Sequence, residues 1–309
     1  MQHTTNVDRN LDMALKHWLC VEKQDFDQPI APIQIETTSD LSFQVSLSSA
    51  PQGFSLRVSI GVGRQIDELL NRAINQSSKE RTMHNMIGFV VLHELAHIAL
   101  GHFDFTNRFG IAHRSTDKQV SFDVKPSDKC LLVPKCLEMQ ADHEALEELL
   151  GTYSEGSAYD VREVASAICG MMVLIELEDT KNGVKGRTHP KAATRIFQLM
   201  GHLTELPLVK AQIEKDASLI PIKKELQNFA REVTIPCFFD AIQFAQAAGA
   251  ASIADDLGSP EAFFKDIEIT KLADPSRYGE LKTQGAREWA KLWPCNEALK
   301  PILGGHFTN

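Results

Sequence analysis

A nearly continuous apolar stretch of the sequence reads Val90-Val-Leu-His93-Glu94-Leu-Ala-His97-Ile-Ala-Leu-Gly101. Residues four apart share one face of a helix, so the imidazoles of His93 and His97 can reach a single metal ion. Glu94 lies at the edge of that face, where a carboxylate can take a proton from an attacking water. The other interpretation is that His93 and His97 are hydrogen-bonded polar residues of a buried helix, but burying them with Glu94 is costly without a purpose. The pattern therefore predicts a buried helix with a zinc site.

Around this helix the hydrophobic periodicity predicts an α+β fold, mostly α. Strict alternation over residues 41–49 and 54–60, with the turn Pro51-Gln-Gly53 between them, predicts a small N-terminal antiparallel sheet beside a helical core. Residues 32–36 could add a third strand. Helical spacing predicts further helices over residues 8–24, 66–74, 135–150 and 158–178, and another from near His189.

The composition narrows the class of protein. The chain has 309 residues, 43% of them hydrophobic and 24% charged, with a net charge of −9, which argues against nucleic-acid binding. No apolar run reaches the roughly 18–20 residues that span a bilayer, and the first residues lack a signal-peptide pattern. Six scattered cysteines suit a reducing compartment. We therefore expect a cytoplasmic protein without a membrane span.

A catalytic zinc ion needs a third protein ligand. His102 would lie roughly 180° from His93 and about 140° from His97 if the helix continued, which is the wrong face. We therefore interpret His102 as a residue at the helix end, after a helix-terminating Gly101.

Glu138 is the better third ligand. Asp142 lies one helical turn later on the same face, so the pattern predicts Glu138 on the zinc ion and Asp142 on the free ring nitrogen of a ligand histidine. His143 points elsewhere and is interpreted as a bystander. The alternative is a solvated acidic face together with three further glutamates, Glu144, Glu147 and Glu148.

A third motif begins with Thr188-His189-Pro190 and continues to Arg195. A threonine cap followed by a proline starts a helix and leaves His189 at its positive end. His189 and Arg195 could there stabilise the oxyanion of an attacked peptide carbonyl. By itself the motif indicates only a helix start with a surface histidine.

Taken together, the three motifs resemble the gluzincin metallopeptidases, in which a glutamate on a later helix is the third zinc ligand. They are similar to the pattern of the Lit-type phage-exclusion peptidase family, over roughly residues 54–200. The residues that carry this resemblance are His93, Glu94, His97, His102, Glu138, Ala141, Asp142, Ala145, Thr188, His189, Pro190, Arg195 and Ile196.

The resemblance implies an endopeptidase that cleaves a host protein, elongation factor Tu, during phage infection. It implies one zinc ion per chain held by two imidazoles and a carboxylate, those of His93, His97 and Glu138. Glu94 would be the general base, with His189 and Arg195 near the oxyanion. Because His102 belongs to the shared pattern, it could also have a function in that family beyond its place at the helix end.

We therefore expect a zinc endopeptidase acting on a specific intracellular protein, for which the resemblance suggests a translation factor in phage defence. The alternatives are a non-catalytic zinc-containing sensor or regulator, and a toxin-system peptidase that cleaves a cognate regulator. Residues 1–205 would form the catalytic domain, and residues 206–309 a helical region packed on the same core. The polar stretch 104–134 could gate access until an activating partner arrives.

Overall fold

The computed structural model describes residues 6–25, 32–74, 76–109, 132–151, 158–187 and 189–304. Within these ranges the chain is mostly helical with one small sheet near its N-terminal end, so the expected α+β class is confirmed. The central part of the proposed gating stretch lies outside the described residues.

The sheet has three strands, β1 (Ile33–Thr38), β2 (Val45–Ala50) and β3 (Gly53–Ser59), in the order β1-β3-β2. The predicted hairpin is present as the antiparallel pair of β2 and β3. β1 pairs with β3 in parallel, so the sheet is mixed rather than antiparallel throughout. This pairing places β3 in the centre, where it buries Leu56 and Val58.

The first strand of the hairpin starts later than predicted, at Val45, and Leu41 is 62% exposed. Residues 40–42 instead turn around the start of the next helix, where the Gly61 N–H donates to the Asp40 carbonyl over 3.0 Å. A Cβ atom at position 61 would lie 2.1 Å from the Ser42 carbonyl oxygen, so only glycine fits this close approach.

The helices in the described residues account for most of the fold. They are α1 (Asn6–Asp25), α2 (Ile60–Ala73), α3 (Gln76–Ala99), α4 (His102–Phe109), α5 (Val133–Gly151), α6 (Ala158–Lys181), α7 (Ala192–Glu205), α8 (Val209–Glu214), α9 (Lys223–Phe229), α10 (Ile235–Ala247), α11 (Ala251–Leu257), α12 (Pro260–Lys271) and α13 (Gln284–Gly304).

Helix α3 occupies the centre of the molecule, as its nearly all-round apolar sequence predicts. It packs against α1, α5 and α6, and Met86, Phe89 and Val91 are fully buried. Trp18 of α1 donates its indole N–H to the His84 carbonyl over 3.2 Å. The two histidines at the end of α3 therefore lie on a tightly packed helix and are themselves buried.

The chain bends sharply after α3. Gly101 has a left-handed φ of +67°, and the axes of segments Ser77–Ala99 and His102–Arg108 differ by 53°. Of the helices in the described ranges, none by itself has the length and apolar content to cross a membrane, although this bent pair passes on length and composition. Helix α4 therefore begins at His102, directly after the bend.

Helix α7 begins at Ala192, a few residues later than predicted. Its N-cap is Lys191, whose ψ of 150° is not helical, and His189 precedes Pro190, a position that disfavours helical backbone. Its first turn is capped from α6, since the Ala192 N–H donates to Glu176 Oε2 over 2.5 Å. Helix α13 packs against both α5 and α7, and the Trp289 ring lies 5.9 Å from that of Phe197. The boundary at residue 205 stays a prediction.

Candidate metal centre

Helices α3 and α5 bring three ligand-type side chains to one point. Nε2 of His93 lies 3.1 Å from Oε2 of Glu138 and 3.3 Å from Nε2 of His97. Nε2 of His97 lies 3.6 Å from Oε1 of Glu138. The three side chains form a buried group that could hold a metal ion.

These distances can be tested against a tetrahedral ion. Ligand atoms about 2.0–2.1 Å from tetrahedral zinc lie roughly 3.3 Å from one another. The observed separations of 3.1, 3.3 and 3.6 Å scatter around that value, with the two distances to Glu138 ending on its two different oxygens. Two imidazoles and one carboxylate are also a donor set found in catalytic zinc sites. The residues therefore fit such an ion.

The group is almost fully withdrawn from water, with His93 6%, His97 1% and Glu138 4% exposed. Burial by itself would lower the pKa of His93, but the carboxylates of Asp142 and Glu138 raise it to about 9. Burial would raise the pKa of Glu138, yet the neighbouring His189 and His97, with hydrogen bonds from His189 and His93, hold it well below the usual range. Each charge is thus compensated by its neighbours.

The outer side of His93 is supported by a buried ion pair. Nδ1 of His93 lies 2.9 Å from Oδ1 of Asp142. Arg195 of α7 donates to both oxygens of Asp142, each over 2.6 Å, and is itself 2% exposed. Asp142 thus lies on the side of the His93 ring that faces away from Glu138, and its assigned role stays a prediction. Arg195, expected near an oxyanion, has its guanidinium bound to Asp142 behind the histidine.

The outer side of His97 faces His102. The two Nδ1 atoms are 2.8 Å apart, and Nε2 of His102 lies 3.2 Å from Oε1 of Gln140. His102 does follow the helix-ending Gly101, but it is fully buried and in contact with a histidine of the site. The angular argument from sequence missed this contact because it assumed that α3 continues straight.

Glu94 is 6% exposed and lies on α3 between the two histidines in sequence.

His189 approaches the site from the segment before α7, with Nε2 3.3 Å from Oε2 of Glu138. Its Nδ1 lies 2.9 Å from Oδ2 of Asp179, a partner for which the sequence gave no signal. Burial would lower the pKa of His189, but Glu138 and Asp179 raise it to about 10.

Helical architecture and a buried His-His-Glu group with a nearby carboxylate are compatible with a metal-dependent hydrolase. Residues 80–208 match the sequence model of a family described as Peptidase U49, which supports a peptidase and agrees with the resemblance to the Lit-type family. The matched range is less than half of the chain but contains the three sequence motifs. No curated protein and no solved structure matches the chain significantly.

Proposed function

We propose that this chain is a zinc-dependent endopeptidase whose zinc ion is held by His93, His97 and Glu138. The observation that carries the proposal is the convergence of these side chains at separations of 3.1–3.6 Å, inside a range that matches a peptidase family. Zinc bound there would act as a Lewis acid and make water a stronger nucleophile at neutral pH.

Glu94 is the general base in this proposal. Its carboxylate takes a proton from the attacking water and then gives it to the departing amine. His189 has its Nε2 3.3 Å from Oε2 of Glu138, so it lies close enough to the site for a protonated ring to stabilise negative charge on the attacked carbonyl oxygen. Arg195 serves the reaction through Asp142, by fixing the position of the His93 ring rather than by touching substrate.

The sheet offers a place for an extended substrate. β2 is an edge strand that pairs with β3 on one side and packs against α3, the helix of both histidines. A peptide that adds to its other side would be bound by main-chain hydrogen bonds. The resemblance favours a specific intracellular protein as substrate, such as a translation factor during phage infection, and a cytoplasmic site of action.

The test compares purified wild type with Glu94→Gln, Glu138→Gln and the surface variant Glu147→Gln. We expect about one zinc ion per chain in the wild type, in Glu94→Gln and in the surface control, and none in Glu138→Gln. Proteins of a bacterial lysate are then incubated with each variant and new N-termini are mapped by mass spectrometry. Cleavage should fall about 10²–10⁴-fold in Glu94→Gln and stay unchanged in Glu147→Gln.

The outcomes separate the alternatives. Wild type without zinc, or zinc that survives Glu138→Gln, would refute the proposed site. Zinc without cleavage in any fraction would favour the non-catalytic sensor. Cleavage confined to a transcriptional regulator rather than a translation factor would identify the toxin-system peptidase.

A further inference from the structure

A chain of polar contacts connects the candidate metal centre to the C-terminal helix. It starts at Nδ1 of His97, which lies 2.8 Å from Nδ1 of His102, and continues over 3.2 Å from Nε2 of His102 to Oε1 of Gln140. The amide of Gln140 then donates to Oδ1 of Asn296 over 2.8 Å. We call these four residues, His97, His102, Gln140 and Asn296, the relay.

The contacts of the relay define where its protons lie. Since the Gln140 amide donates to Asn296, its oxygen Oε1 faces His102 and must accept, so Nε2 of His102 carries the hydrogen. A neutral His102 then has a bare Nδ1 that accepts from Nδ1–H of His97. His97 is left with a lone pair on Nε2, the atom directed at His93 and Glu138. This is the tautomer that binds a metal ion.

We propose that Gln140 and Asn296 are positioning residues that act through His102 to hold His97 in its metal-binding tautomer. The inference rests on the proposed zinc centre and deepens it, because it assigns a role to Asn296, which lies outside the three motifs, and to Gln140, a position that the second motif leaves open. It also makes helix α13, which lies far beyond the matched range, part of the machinery that prepares the site.

The fold builds the relay from distant parts of the chain. The left-handed turn at Gly101 brings His102 back beneath α3, where it is fully buried. Asn296 is 6% exposed and comes from a helix 156 residues away in sequence. Gln140 and Asn296 also border a cavity of about 580 Å³, so a different side chain at position 140 has room to fit.

Three substitutions at one position test the direction of the relay. Gln140→Glu keeps an acceptor for His102, Gln140→Met has a similar shape but neither accepts nor donates, and Gln140→Lys presents a donor. We expect Gln140→Glu to bind zinc within about threefold of wild type, whereas Gln140→Met binds about 10-fold and Gln140→Lys about 100-fold more weakly. Affinity is measured by competition with a chromophoric chelator at pH 8.

A purely structural role for Gln140 predicts a different order, with the apolar Met best tolerated and the charged Glu and Lys both worse. The matched control is Gln198→Met, since Gln198 borders the same cavity but donates to the Met139 carbonyl instead of joining the relay. This control should leave zinc affinity unchanged. Equal affinities for the three Gln140 variants, or equal losses in Gln198→Met, would overturn the proposal.

A second measurement separates failure of the relay from failure of the metal centre. Nitrogen-15 NMR of the histidine rings in metal-free protein reports which nitrogen of His102 carries hydrogen. We expect the Nε2–H tautomer in the wild type and in Gln140→Glu. The Nδ1–H tautomer would overturn the relay whether or not zinc binds, while an Nε2–H tautomer in a protein without zinc affinity would refute only the proposed function.

Discussion

Helix α5 carries residues of two histidine–carboxylate groups that differ in almost everything except composition. The inner group consists of His93, His97 and Glu138, and the outer group of His143, Glu147 and His202. Both have ligand atoms within 4.8 Å of one another, and both contain a pair of residues four apart on one helix. Proximity and helical spacing alone therefore do not distinguish them.

The surroundings do distinguish them. The inner group is buried, and the outward ring nitrogens of its histidines face Asp142 and His102. In the outer group the side chains of His143 and Glu147 are 48% and 52% exposed. A metal centre needs ligands that are fixed in advance by second partners, and among the described residues the inner group has such partners on both histidines.

The largest expected effect is on metal binding. His97→Ala removes a ligand from the inner group, and we expect zinc affinity to fall by more than the roughly 10–100-fold that loss of an outer partner costs. The matched change His143→Ala should leave affinity within about twofold, because His143 holds no part of the proposed site. Chelator competition measures both. Comparable losses in the two variants would mean that the outer group binds zinc as well.

The next effect concerns stability. Arg195→Met leaves Asp142 as a buried charge without its guanidinium, which typically costs about 3–5 kcal/mol. Glu147→Gln breaks the exposed 3.3 Å contact with His143 and should cost no more than about 1 kcal/mol. Urea unfolding in the presence of a chelator measures both without a contribution from metal binding.

A double variant checks the cause of this loss. Replacing Asp142 by leucine as well as Arg195 by methionine removes both charges, so the combined loss should be smaller than the sum of the single losses. Additive losses would indicate that packing, rather than the charge left on Asp142, determines the stability at this position.

A smaller effect on zinc affinity distinguishes a carboxylate that holds a proposed zinc ligand from a carboxylate that holds His189. Asp142→Asn removes the charge behind His93 and should weaken zinc binding about 10–100-fold. The control Asp179→Asn removes the carboxylate behind His189, which lies 2.9 Å away and is not among the proposed ligands. It should change zinc affinity less than about threefold but slow peptide cleavage. If Asp179→Asn weakens zinc binding as strongly, His189 has a part in metal binding.

The local parts of the inner group could be predicted from sequence because they depend on spacing within one helix. His93 and His97 are four residues apart on α3, and Glu138 and Asp142 repeat that spacing on α5. The hairpin was predictable for the same reason, since alternation and a turn are local signals. In the fold the pair on α3 and the pair on α5 lie side by side, as a zinc site requires. The roles assigned to these residues stay predictions.

The remaining contacts could not be predicted because they join distant segments. Asn296 reaches Gln140 across 156 residues, and β1 pairs in parallel with β3 next to a 2.9 Å hydrogen bond from the Phe54 N–H to the Pro32 carbonyl. His102 shows the limit of helical geometry: one left-handed residue, Gly101, turns it from the wrong face of a straight helix to a position behind His97.

The smallest expected effect is a pH dependence of stability that comes from the outer group. Burial, together with the nearby charge of His143, lowers the pKa of His202 from 6.5 to about 4. The unfolded chain therefore takes up a proton near pH 6.5, while the folded protein does so only near pH 4. The contribution of His202 to stability is complete above pH 6.5 and is lost as the pH falls toward 4.

Because His202 is partly exposed, we expect this loss to be about 1 kcal/mol between pH 7.5 and pH 5.0. Urea unfolding of wild type and His202→Gln at the two pH values measures it, and the variant should lose less stability by that amount. The direction is opposite to the inner group, where carboxylates raise the pKa of His93. An equal pH dependence in both proteins would mean that His202 is solvated, in which case the outer group lacks even the burial that a metal site on α5 would need.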